Sequence, residues 1–163
     1  MTFSAIPENI NQLVGADYNA MHLMAAQWSM LGHRLDDQVL RDLLGRSTQA
    51  NAALLGRSAD RKGIVVQHRR FLDRDWTNAW MRQPSGFDLR HHEDQRYGAW
   101  VAETYDAVLA GHRPRLERVW ATIQCPEFGR RDFDYDRLIL PWVTPTGDVV
   151  ATLTSVVRAV RAT

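Results

Sequence analysis

At 163 residues the chain has room for one domain with a real core and not for two comfortable ones. Its formal net charge of +1 is spread without any block of like sign, which leaves no electrostatic footprint for nucleic acid or a membrane surface. One cysteine, Cys125, excludes an intramolecular disulfide and any multi-thiolate zinc or iron–sulfur site within one chain, as suits a reducing cytoplasm.

The N-terminus lacks the basic start and apolar run of a secretory signal, and no apolar stretch approaches the ~20 residues that cross a bilayer. The expectation is a soluble, cytoplasmic protein. Residues 17 to 31 read as an amphipathic helix: Asp17 stands at the N-cap position, Met21, Met24, Trp28 and Leu31 recur at three- and four-residue spacing, and Gly32 stops it. That stripe needs a partner surface, either the domain's own sheet or the same helix of a second subunit, and methionine suits both. Residues 36 to 44 give one or two further helical turns.

From Ser47 the pattern changes. A weak strand over residues 49 to 55, whose Ala-Asn-Ala-Ala-Leu-Leu is equally good helix sequence, leads through the polar turn Gly56–Gly63 to a better strand over residues 64 to 71. Asp73 caps a short helix carrying Trp76 and Trp80 on one face, ended by Pro84-Ser85-Gly86. Residues 93 to 110 form the clearest helix, with Tyr97, Trp100, Val101, Tyr105, Val108 and Leu109 on its apolar stripe and Gly111 at its end. Residues 115 to 123 alternate as a half-buried strand does, and Cys125–Arg131 reads as a loop. The chain closes with two β-branched, aromatic-rich arms between Tyr135 and Val157, joined by the turn chemistry of Pro145-Thr146-Gly147-Asp148.

The Tyr-x-Arg-Leu-Ile-Leu-Pro arm, the short loop ending in Gly-Asp and the valine-rich return resemble the last two strands of single-domain PAS-like proteins of alphaproteobacteria. So does the helix running into a strand at Tyr105-Asp-Ala-Val-Leu-Ala-Gly-His-Arg-Pro-Arg-Leu-Glu117. The resemblance spans roughly residues 36 to 157. It implies an α+β fold: a five-stranded antiparallel sheet with crossing helices over one face, preceded by an N-terminal amphipathic helix. Residues 1–35 would then be a helical extension suited to dimerisation and residues 36–163 the PAS-like domain. The implied role is sensory or regulatory: protein–protein contact in bacterial signal transduction, modulated by a small apolar or planar ligand in the core, not catalysis.

Candidate pocket residues are His68, Trp80, Trp100, Trp120 and Trp142; candidate dimer contacts are Met21, Met24, Trp28 and Leu31. No cofactor is required. PAS domains that bind haem do so through a cavity-facing histidine, usually on the crossing helices, which singles out His68, His91 and His92 for a disfavoured haem reading. These same histidines define the rival class, a small enzyme or a metal or haem carrier. Adjacent histidines diverge by about 100° on a helix, so His91 and His92 followed by Glu93 and Asp94 read as a solvated helix start and not as a metal site. Alternating Asp132, Asp134 and Asp136 read as a solvated strand edge neutralised by Arg130, Arg131 and Arg137, since an EF-hand would need glycine and a distant glutamate that this run lacks. Nucleophile elbows, His-Glu-x-x-His and Walker loops do not occur in the sequence.

Overall fold

A computed structural model of the chain describes residues 2–45, 51–70, 86–126 and 128–163. Seven antiparallel strands form one sheet in the order β1-β5-β6-β7-β2-β3-β4, where β1 is Phe3–Pro7, β2 Asn51–Arg57, β3 Ile64–Arg70, β4 Phe87–Asp88, β5 Arg115–Cys125, β6 Gly129–Val143 and β7 Val149–Ala162. Among the described residues the strand count is therefore seven and not five. The two additions are short edges that carry too few residues for a period-2 pattern to stand out, and Pro7 sits where an edge strand tolerates a missing N–H.

The closing hairpin forms as expected and extends further, because β6 begins at Gly129, whose φ of 68° lets the chain reverse directly out of β5. Its β6–β7 turn uses Gly147 at φ 87°, with the Gly147 N–H donating to the Thr144 carbonyl at 2.9 Å. Alternation along β5, β6 and β7 sends one set of side chains to each face. Val119, Ala121, Ile123, Phe133, Tyr135, Ile139 and Ala151 pack with Tyr97, Val101, Tyr105 and Val108 of the long helix α3, Gln95–Gly111. Leu138, Leu140, Trp142, Val150 and Val156 point the other way, toward Leu13 and the helices α1, Asn19–Met30, and α2, Asp37–Gly45. The sheet is thus sandwiched between α3 and the N-terminal segment.

Helix starts explain themselves locally. Asp94 caps α3 by accepting from the Tyr97 N–H at 3.0 Å, and Asp36 serves α2 through the Val39 N–H at 2.8 Å. Asp17, expected as the cap of the first helix, instead lies in a 3-10 turn, Ala16–Tyr18, that leads into α1. The partner of the α1 stripe is the chain's own sheet: Met21 and Met24 are fully buried there, and the Trp28 indole donates to the Pro141 carbonyl at 2.6 Å. Leu31 stays at the surface. The expected helix bearing Trp76 and Trp80 lies outside the described residues.

Candidate functional site

Between α3 and the sheet lies a cavity of about 120 Å³. Its walls are mainly apolar, among them Leu55, Val66, Phe87, Val101, Ile123 and Phe133. Polar groups enter from four places. Tyr97 on α3 and Tyr135 on β6 share a hydrogen bond between their hydroxyls at 2.8 Å; His92 precedes α3; Asn51 and Ser155 face each other across β2 and β7. Burial pushes the Tyr97, Tyr105 and Tyr135 hydroxyls above the usual phenol range, so all three remain neutral.

His92 is held by its backbone neighbourhood. Its Nδ1 lies 3.0 Å from the Asp94 nitrogen and 3.1 Å from the Asp94 carbonyl oxygen, accepting or donating there according to the ring tautomer, and burial lowers its pKa against the opposing pull of Asp94. The expected solvated helix start is therefore half right: His91 and Glu93 are exposed, whereas His92 and Asp94 are buried. Asp94 earns its burial by accepting twice, from the Tyr97 N–H and from the Gln124 N–H of β5 at 2.8 Å, and so ties α3 to the sheet. Gly98 lets this corner close, since a Cβ there would lie 2.5 Å from the His92 Cβ and 2.6 Å from the Leu89 carbonyl oxygen.

Behind the tyrosines, Arg137 is 1% exposed and pairs with its cross-strand neighbour Glu117, donating from Nε and Nη2 to Glu117 Oε2 at 3.0 and 2.8 Å. Its guanidinium carbon lies 4.8 Å from the centre of the Trp100 ring. Neither Glu117 nor Arg137 is singled out by sequence reasoning as a buried pair. The available signal is that Arg137 shares the parity of Tyr135 and Ile139 on β6.

The indoles and His68 stand elsewhere. Trp100 flanks the cavity stripe and stacks on Phe3 at 5.4 Å; Trp120 projects from the opposite face of β5 under Arg118; Trp142 is buried on the opposite face of β6, its indole donating to Thr152 Oγ1 at 2.8 Å. His68 is exposed, because a bulge in β3 pairs Leu55 with Val66 but Leu54 with His68 and so turns His68 away from the face that Val66 occupies. Trp80 lies outside the described residues. The aspartate run also differs from a solvated edge. Asp132 is exposed, but Asp136 is wholly buried, and Arg137 projects from the other face; the cations that meet Asp134 and Asp136 are Arg118 and Arg158.

These features define an α+β protein with a seven-stranded antiparallel sheet, helices on both faces, and a small, mostly apolar cavity under one of them. Among the described residues no helix is long and apolar enough to cross a membrane. Compared with known proteins, the chain matches no family model, no curated protein and no solved structure.

Proposed function

We propose that this chain is a PAS-like sensory or regulatory protein of bacterial signal transduction, acting through protein–protein contact and modulated by a small ligand between α3 and the sheet. The observation that carries the reading is the cavity itself, roofed by a helix that crosses a sheet whose inner strands run β5-β6-β7-β2-β3. Its size sets the ligand class. A dry cavity of about 150 Å³ accepts benzene, and drug-sized ligands need roughly 300–1,000 Å³. About 120 Å³ suits a neutral molecule of a few non-hydrogen atoms, with one polar group to meet Tyr97, Tyr135 or His92, and is too small for haem.

The signal would leave through the N-terminal segment. Met21 and Met24 are committed to the sheet, so a homodimer or signalling partner would use the outer end of α1, where Met30 is 77% exposed beside Leu31. Native mass spectrometry of protein purified from its own host, with thermal shifts on added phenol and benzene, tests the ligand. A featureless mass and no shift with either compound would sink it. Light scattering on wild type and Met30→Glu tests the dimer, which requires a twofold larger mass for wild type alone.

A second reading, a small enzyme or carrier, draws on one observation: His92, alone among His68, His91 and His92, lines the cavity. Metal analysis and a visible absorption spectrum discriminate, a bound metal or haem band favouring the carrier.

A further inference from the structure

On the face of the sheet away from the cavity, four side chains from distant parts of the sequence converge. Asp136, 0% exposed in the middle of β6, accepts through Oδ2 from the Tyr18 hydroxyl at 2.7 Å and from Arg158 Nε at 2.6 Å. Arg158 is the extra residue of a bulge that pairs Tyr135 with Val157 but Asp134 with Ala159. Glu8 follows β1, its N–H bonded to the Leu116 carbonyl at 3.0 Å, and its Oε1 lies 3.7 Å from Arg158 Nη2. The neighbouring cation, Arg118 on β5, is committed to Asp134 through two bonds of 3.0 and 2.8 Å. Arg161, further along β7, acts on Asp134.

One feature of this cluster does not balance if every acid is ionised. Asp136 Oδ1 and Glu8 Oε2 are both buried, and neither has a hydrogen-bond partner among the described residues. Arg118 and Arg158 pair with Asp134, Glu8 and Asp136, and Arg161 acts on Asp134 from further along β7. A buried acceptor left without a donor costs free energy, and a buried unpaired charge costs more. A single proton on one carboxyl, hydrogen-bonded to the other, gives both oxygens a partner.

We propose that the Glu8 carboxyl is protonated and donates to the Asp136 carboxylate, forming a proton latch that holds residues 8–18, the lead-in to α1, against the sheet and loosens when that proton is lost to water. Glu8 and Asp136 meet the same guanidinium, Arg158, and burial together with the Asp136 charge raises the Glu8 pKa against the opposing pull of Arg158 and Arg118. Tyr18 does not compete for the role: burial and its bond to Asp136 push its hydroxyl up to about 12, so it stays a neutral donor while Glu8 titrates. Because the folded value of Glu8 is raised, the latch is complete below the unfolded carboxyl value and is lost as pH rises through the folded one. A pH change would thereby be read by the segment that carries α1, whatever occupies the cavity.

Two measurements on the full chain test the latch. In a carbon-detected NMR titration of wild type, with Glu8 assigned through its own backbone correlations, its carboxyl should titrate above the ordinary value of 4.5. In hydrogen exchange corrected for the intrinsic effect of pH, residues 3–18 of wild type should lose protection as pH rises through the raised Glu8 value. Glu8→Gln, whose amide donates at every pH, should keep that protection throughout. Titration of Glu8 at or below 4.5 overturns the proposal, and so does a pH dependence of exchange that wild type and Glu8→Gln share. The titration needs no variant, so a misfolded glutamine protein would not leave the question open.

Discussion

The two faces of the sheet solve the same problem differently. Each must bury ionised side chains contributed by β6, and adjacent residues of that strand, Asp136 and Arg137, go to opposite faces. Under α3, Arg137 meets Glu117 from the neighbouring strand, a contact made within the β5–β6 hairpin and reinforced by Trp100 and by Thr104 at 3.4 Å. On the other face, Asp136 accepts from Tyr18 and Arg158, and Glu8 meets the same Arg158, so the groups arrive from three separate segments. The first arrangement is local to the β5–β6 hairpin, with Arg115 as a second partner of Glu117 and with Arg137 Nη1 buried without a partner among the described residues. The second makes the attachment of the N-terminal segment depend on a polar cluster, so the face with the cavity is built as a frame and the other as a dock.

Breaking the hairpin pair should have the largest effect. Arg137→Met leaves the buried Glu117 with only the partly exposed Arg115, 3.1 Å away, and removing one partner of a buried ion pair costs about 3–5 kcal/mol. Adding Glu117→Met to it should recover most of that loss, because an apolar replacement of both partners is often neutral. Urea denaturation of the two variants checks this; equal losses in single and double variants would mean that Arg137 matters through Trp100 packing and not through charge. Next comes the dock. Met21→Ala opens space beneath α1 and should cost about 2–5 kcal/mol, with hydrogen exchange rising first in residues 10–45. Uniform exchange over both faces would show that they unfold as one unit and that the contrast between frame and dock is only geometric.

Much of the frame was legible in the sequence. The period of residues 93 to 110 and the β-branched arms on either side of Pro145-Thr-Gly-Asp148 are strong local signals, and α3 and the β6–β7 hairpin stand where those signals put them. The cavity lining was harder to read. An expectation built on indoles ignored strand parity, which places Trp120 opposite Val119 and Ala121, and Trp142 opposite Ile139. His68 could not be placed by parity at all, because the bulge in β3 changes the face without leaving a mark in composition. β1 is five residues long and finds its place only through β5, more than a hundred residues away. The Glu8–Arg158 pair has the same long reach, and no local pattern announces it.

The smaller effects sharpen the contrast. Gly98→Ala gains roughly 1 kcal/mol in helix propensity, but its Cβ meets a backbone carbonyl and the His92 Cβ, so overpacking of roughly 1–3 kcal/mol should win. Thermal denaturation with an unchanged or raised Tm would mean that the corner around His92 relaxes freely. The weakest effect is the sharpest discriminator, because the two faces should respond to pH with opposite sign. His92 is kept neutral by burial, so its lowered folded pKa contributes stability that is complete above the unfolded histidine value of about 6.5 and declines as pH falls toward the folded one. The Glu8 contribution runs the other way, present in acid and lost as pH rises through its raised folded value. His92→Asn keeps an acceptor for the Asp94 N–H and removes the titration, so the stability gap between wild type and this variant should narrow on acidification from about pH 7 to about pH 5. The gap between wild type and Glu8→Gln should shift in the opposite sense over the same range, to the disadvantage of wild type at the alkaline end. A pair of gaps that move together would mean that both groups titrate through one global unfolding event, and that the sheet does not separate a frame from a dock.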